Sequence, residues 1–138
     1  DKNYIENLDY ILIENQIGPI ANRMNCIQGM LSQYFIMNNM ENILYISAAN
    51  KLKLFLANKK TSYNERKKLS IEITKKLLLE NEININDKQE IVENFNKNKK
   101  KDDLSDCFLQ GIWFLNEKND KYIKKIITLV NENIYINS

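Results

Sequence analysis

The chain contains no histidine, one proline, three glycines and two cysteines among its 138 residues. The absence of histidine excludes imidazole-based catalysis, the Ser-His-Asp triad and histidine-ligated zinc. Any catalysis must therefore use carboxylates, lysines or metal-bound water. Cys26 and Cys107 each lie in an apolar helical pattern. We expect both to be buried structural residues rather than disulfide partners or metal ligands.

Long apolar runs are also absent. No run approaches the roughly 20 residues that a membrane-spanning helix needs, and the N-terminal residues lack the pattern of a signal peptide. A chain of 138 residues is long enough to form one hydrophobic core. We therefore expect a single domain over residues 1–138, located inside the cell in the reducing cytoplasm, without a membrane partner.

Basic residues are concentrated in the middle of the chain, although the net charge is only +2. Residues 1–50 contain two basic and five acidic residues, whereas residues 51–76 contain nine basic residues against Glu65 and Glu72. Such a positive segment favours binding to a polyanion through phosphate contacts that weaken as salt rises. The alternative, a solvated helix face without a ligand, stays open.

The apolar pattern predicts a helix-rich α/β fold. Strands are predicted over residues 10–14 and 43–46, separated by a helix from residue 20 to about 38. This order predicts a parallel strand pair with a right-handed crossover. Further helices are predicted over about residues 63–82, 87–96, 103–117 and 120–133, with residues 48–58 helical or irregular. In the first helix we expect the core to contain Met24, Met30, Tyr34, Phe35 and Met37, with a subunit contact as the alternative.

Three acidic residues at the ends of predicted elements form the candidate catalytic and metal site. Glu14 ends the first strand, while Asp103 and Asp106 lie three apart at the start of a helix, on one face of its first turn. A hard divalent cation prefers such carboxylate oxygens. The alternative is that Asp102, Asp103 and Ser105 only cap the helix.

These motifs together resemble the poxvirus-type Holliday junction resolvases, members of the RuvC-like group with an RNase H fold. The resemblance covers most of the chain and keeps the order of the motifs. It rests on the segments Ile13-Glu14-Asn15-Gln16, Ile17-Gly18-Pro19-Ile20-Ala21-Asn22-Arg23-Met24, Ile27-Gln28-Gly29-Met30, Ser47-Ala48-Ala49-Asn50-Lys51-Leu52-Lys53 and Lys101-Asp102-Asp103-Leu104-Ser105-Asp106.

The resemblance implies a homodimeric endonuclease that uses Mg²⁺, with Mn²⁺ as the alternative, to cut four-way or branched DNA in recombination, repair and the processing of replication intermediates. Glu14, Asp103 and Asp106 would be catalytic metal ligands. A lysine would assist at the scissile phosphate, with Lys53 or Lys51 as the first choice and Lys59 or Lys60 next. The lysines that we expect to contact DNA are Lys51, Lys53, Lys59, Lys60, Lys67, Lys68, Lys100 and Lys101.

One departure from the family pattern leaves a second function open. The family begins with an antiparallel meander of three strands, and its first strand supplies another aspartate. Only 13 residues precede Glu14 here, so we expect the chain to match the C-terminal two-thirds of the pattern, without the meander. The alternative function is a catalytically incomplete resolvase remnant that binds DNA or dimerises without cutting. A helical interaction protein without a nucleic-acid role ranks third.

Overall fold

The computed structural model describes residues 5, 8–18, 22–56, 61–79 and 87–135. Its elements in chain order are β1 (Ile11–Glu14), α1 (Asn22–Met37), β2 (Ile43–Ile46), a 3₁₀ helix (Ala48–Asn50), α2 (Tyr63–Leu79), α3 (Lys88–Lys97), α4 (Lys101–Glu117) and α5 (Lys121–Tyr135). The helix-rich α/β class is therefore confirmed. The predicted helix start at residues 19–20 and the predicted helix end at residues 80–82 lie outside the described residues.

The chain divides into two compact units, Asp1–Ala48 and Ala49–Ser138, which are described separately below. The first unit contains both strands and α1, and the second contains α2 to α5. None of the helices in the described part of the chain is long and apolar enough to cross a bilayer.

In the first unit, β1 and β2 pair in parallel, as the strand-helix-strand order predicted. Glu14 lies opposite Ile46, and the Asn15 N–H extends the pairing by donating to the Ile46 carbonyl at 2.8 Å. Ile11 and Ile13 are buried, and the residues between and after them are half-buried, because successive side chains of a strand point to opposite faces. Glu14 is therefore the last residue of a strand whose C-terminal end is held by hydrogen bonds.

The apolar side of α1 is exposed, contrary to the prediction. The structure describes α1 throughout, and its one buried residue is Ser32. At 100° per residue, the exposed apolar residues form a stripe about 140° wide. Two strands of four residues each offer too little surface to cover this stripe. The residues of this exposed apolar stripe, between 39% and 74% exposed, are Met24, Ile27, Met30, Leu31, Tyr34 and Met37.

Several burial predictions are therefore wrong. Met24, Met30, Tyr34 and Met37 are not core residues, and Phe35 is only half-buried. Both cysteines are also exposed. Cys26 lies on α1, next to the exposed apolar stripe, and Cys107 shares one face of α4 with Leu104 and Leu115, which are each 40% exposed. Helical periodicity placed these residues on apolar faces, but it did not show whether another element covers those faces.

In the second unit, the helices pack around one hydrophobic core. Ile73 and Leu77 of α2 and Leu109 of α4 are completely inaccessible to solvent. Leu78 of α2 is also buried, and Leu69 packs against the core. The residues that form this core are Leu52, Phe55, Ile73, Leu77, Leu109, Ile112, Ile123, Ile126, Ile127 and Val130.

Short polar motifs set the helix ends. α2 begins with a capping box, in which the Ser62 hydroxyl accepts from the Glu65 N–H at 3.3 Å and the Glu65 carboxylate accepts from the Ser62 N–H at 2.7 Å. α1 and α4 end before left-handed asparagines, Asn39 (φ 60°) and Asn119 (φ 62°). The Asp120 carboxylate then accepts the backbone N–H groups of residues 122 and 123 at the start of α5.

Candidate metal centre and nucleic-acid interface

The aspartates predicted to bind metal lie in the first two turns of α4. The helix begins at Lys101 rather than at residue 103, so Asp102 and Asp103 fall in the first turn and Asp106 in the second. The N-cap position is Lys100, which makes no side-chain capping bond. Assigning Asp102 or Asp103 to the capping position is therefore wrong, although both charges are favourable beside the positive end of the helix dipole.

Asp106 forms an ion pair with Lys51, which follows the 3₁₀ helix. The Lys51 ammonium donates to one oxygen of the Asp106 carboxylate. The two side chains are 22% and 30% exposed, so solvent screens the pair only partly. The next residue, Leu52, is a core residue that is 3% exposed. The ion pair therefore holds α4 and the segment after the 3₁₀ helix together at the edge of the core.

Asp102 forms an ion pair with Lys67 of α2. The Lys67 Nζ lies 2.6 Å from the Asp102 Oδ2. The hydrogen bond from Lys67 lowers the pKa of the Asp102 carboxyl. The same hydrogen bond raises the pKa of Lys67, and a hydrogen bond with the Tyr63 side chain adds to this shift. Because both shifts favour the charged forms, the ion pair between α2 and α4 persists at neutral pH.

Asp103 is the most exposed of the three aspartates. Its carboxylate lies 3.5 Å from the Lys100 ammonium, and the side chains of Asp103 and Lys100 are 64% and 81% exposed. Such an exposed pair contributes little to stability. Each of the three aspartates nevertheless faces one ammonium group, and the three lysines come from three different parts of the second unit. The charges of the three aspartates and of these three lysines therefore neutralise each other.

Glu14 belongs to the first unit, whereas Asp103 and Asp106 belong to the second. Glu14 is half-buried at the end of β1, and the Gln16 side-chain amide donates to its backbone carbonyl at 3.3 Å. Within each unit, the acidic and thiol side chains that the structure describes form no group of three that could hold a metal ion. The chemistry of the donors suits Mg²⁺ or Mn²⁺, since all are carboxylates.

The lysines predicted to contact DNA differ in their surroundings. Lys53 and Lys68 are exposed, while the Lys101 ammonium donates to the Asn98 carbonyl at 2.7 Å. Lys59 and Lys60 lie outside the described residues. The lysines that contact aspartates of α4 are Lys51, Lys67 and Lys100.

The contacts between these lysines and the aspartates were not predicted from the sequence. The pair between Lys100 and Asp103 has the i,i+3 spacing of helical neighbours and could have been predicted. The pair between Lys67 and Asp102 spans 35 residues and depends on the packing of α2 against α4.

Comparison with known proteins shows no match to any family model, curated protein or solved structure.

Proposed function

We propose that this chain is a Mg²⁺-dependent endodeoxyribonuclease with an RNase H-like fold that cuts four-way or branched DNA as a homodimer. The placement of its acidic residues carries the proposal. Glu14 ends a strand of a parallel pair, and Asp103 and Asp106 lie in the first two turns of one helix. The resolvase motifs that the sequence resembles present their carboxylates in the same order and on the same kinds of element.

Glu14, Asp103 and Asp106 would hold the metal ion. Mg²⁺ or Mn²⁺ would activate a water and stabilise the leaving oxygen of the phosphodiester. The ammonium groups of Lys51 and Lys53 would neutralise the charge that develops on the phosphate during cleavage. Lys51 is the better placed of the two among the described residues, because it contacts Asp106, whereas Lys53 is exposed.

Exposed lysines would bind the DNA backbone. Lys53 and Lys68 present their ammonium groups to solvent, as phosphate contacts require. Such contacts carry no sequence information, so the shape and flexibility of the junction would provide selectivity. Binding should weaken steeply as salt rises, because each phosphate contact releases a condensed counterion.

The homodimer is supported by the exposed apolar stripe of α1. A continuous apolar surface on one helix is typical of a protein-protein interface. Arg23 is the one Lys, Arg, Asp or Glu residue in α1, so two copies of this helix could pack together while desolvating few charges.

The test is cleavage of a synthetic four-way DNA junction in the presence and absence of Mg²⁺. We expect the wild-type protein to cut the junction in preference to a linear duplex of the same sequence. Glu14→Gln and Asp103→Asn should each abolish cutting but keep junction binding, because each removes one metal ligand and leaves the lysines in place. Glu117→Gln is the matched control, since it neutralises an exposed carboxylate at the other end of α4 and should cut normally.

A second candidate function is a resolvase-like protein that binds junctions without cutting them. The observation that favours it is the pairing of all three aspartates at the start of α4 with lysines. Salt-sensitive junction binding by the wild-type protein, without cleavage in Mg²⁺ or Mn²⁺, would support this function. A protein that neither binds nor cuts junctions would contradict both functions.

A further inference from the structure

The segment that follows β1 is held by a side chain of α1. The Gln16 backbone N–H donates to the Gln28 side-chain oxygen at 2.9 Å. The Gln16 side-chain amide in turn donates to the Glu14 carbonyl at 3.3 Å. The Asn15 N–H, between them in sequence, donates to Ile46 of β2. Three hydrogen bonds therefore fix the two residues that follow Glu14, and one of these bonds depends on Gln28.

The same face of α1 is also attached to β2. Ser32 lies one helical turn after Gln28, and its hydroxyl lies 2.8 Å from the Gln28 carbonyl and 2.6 Å from the Tyr45 hydroxyl. Because the serine hydrogen is donated to the carbonyl, the tyrosine donates to the serine oxygen. Ser32 is buried whereas Tyr45 is 51% exposed, so these bonds are partly shielded from water. Through Ser32 and Gln28, α1 contacts β2 and the end of β1 with polar groups.

We infer that Gln28 is a positioning residue for Glu14. The inference rests on the proposed function, in which the Glu14 carboxylate binds the metal. A ligand that stands at the tip of a strand must be held in place by the residues around it, and loss of a hydrogen bond made directly to a metal ligand typically reduces metal affinity or activity about 10- to 100-fold. Gln28 provides this support by fixing Gln16, which is bonded to the Glu14 carbonyl.

Two variants of Gln28 and one control separate this role from a general effect on stability. Gln28→Met keeps the length and helix propensity of the side chain but removes the acceptor oxygen. Gln28→Glu keeps an acceptor oxygen at the same position. Gln33→Met makes the same change as the first variant at an exposed position of α1. Two quantities are measured at a temperature where every variant is folded. The first is hydrogen exchange of the Gln16 backbone amide by NMR, and the second is the Mg²⁺ concentration that gives half-maximal junction cleavage.

Gln28→Met should accelerate exchange of the Gln16 amide and measurably raise the half-maximal Mg²⁺ concentration, by less than about 10-fold, because Gln28 acts through Gln16 and not directly on the Glu14 carboxylate. Gln28→Glu should restore slow amide exchange and bring the Mg²⁺ requirement most of the way back, and Gln33→Met should match the wild-type protein. Unchanged amide exchange in Gln28→Met would overturn the inference. So would faster exchange with an unchanged Mg²⁺ requirement, because the bond would then be only structural. The exchange measurement does not depend on nuclease activity. If the wild-type protein does not cut junctions, that result contradicts the proposed function, whereas the exchange result still tests the hydrogen bond to Gln28.

Discussion

Removing the ion pair between Lys51 and Asp106 should cost more stability than removing an exposed pair. Lys51→Met keeps an unbranched side chain of similar length but removes the charge, and leaves a partly shielded carboxylate without its ammonium. Exposed pairs are worth about 0.2–1 kcal/mol, whereas loss of one partner from a fully buried pair costs about 3–5 kcal/mol. Because the two side chains are 22% and 30% exposed, we expect a coupling free energy of about 1–2 kcal/mol.

The assay is a double-mutant cycle in urea, using Lys51→Met, Asp106→Asn and the protein with both changes. The matched control is the same cycle on the pair between Lys97 and Glu93, a helical i,i+4 pair whose side chains are 74% and 67% exposed. The control pair should show a coupling below about 0.5 kcal/mol. Equal coupling in the two cycles would refute the argument, because partial burial would then add nothing to the ion pair.

Repeating the first cycle in Mg²⁺ connects it to the proposed function. If Asp106 binds the metal ion, the cation competes with the Lys51 ammonium for the same carboxylate. The coupling free energy between Lys51 and Asp106 should then fall as the Mg²⁺ concentration rises. The coupling of the control pair should change only as much as it does when the ionic strength is raised without Mg²⁺. A coupling that does not change with Mg²⁺ would contradict the assignment of Asp106 as a metal ligand.

Two further predictions concern other surfaces. Met30→Lys should weaken self-association roughly tenfold or more in sedimentation experiments, because it buries a charge in the proposed interface, whereas Asn25→Lys, at an exposed position on the opposite side of α1, should not. Lys67→Met should lower the urea midpoint at neutral pH. This difference should shrink as the pH falls below the unfolded carboxyl pKa of about 3.9, and it should vanish once the pH passes the lowered folded-state pKa of Asp102, because the carboxylate is then protonated in both states. The raised pKa of Lys67 predicts that the pair persists until the lysine is deprotonated in strong alkali, so a difference that grows in acid would contradict the ion pair.

The elements with uninterrupted apolar periodicity were predictable. β2 has the predicted bounds, Ile43–Ile46, and β1 begins only one residue after its predicted start. The strand-helix-strand order was sufficient to predict the parallel pairing. The strand-ending position of Glu14 followed from the same pattern. These features depend on residues that are close in sequence, where propensity and spacing are informative.

The start of α4 was less predictable, because its N-cap residue gives no signal. Lysine is not a residue type that favours the N-cap position, and the aspartates, which do favour it, lie inside the helix. The predicted helix therefore began two residues late, which moved Asp106 from the second turn into the first. The consequence for the site is small, since Asp103 and Asp106 keep their i,i+3 spacing.

The covering of α1 could not be predicted, because periodicity identifies an apolar face but not its partner. Ser32 of α1 bonds to Tyr45 of β2, and Gln28 bonds to Gln16 just after β1, but neither Ser32 nor Gln28 carries a distinctive signal in the sequence. The ion-pair partner of each lysine could not be predicted for a similar reason. Whether a lysine in the positive segment contacts DNA or an aspartate depends on helix packing, as the pair between Lys67 and Asp102 illustrates.

If Glu14, Asp103 and Asp106 hold one divalent metal ion, as we propose, each of them should contribute to the affinity for Mn²⁺. We expect Glu14→Gln, Asp103→Asn and Asp106→Asn each to weaken Mn²⁺ binding by at least about tenfold, while Glu117→Gln binds like the wild-type protein. If Glu14→Gln binds Mn²⁺ as tightly as the wild-type protein, Glu14 is not a ligand and the three-carboxylate site is wrong.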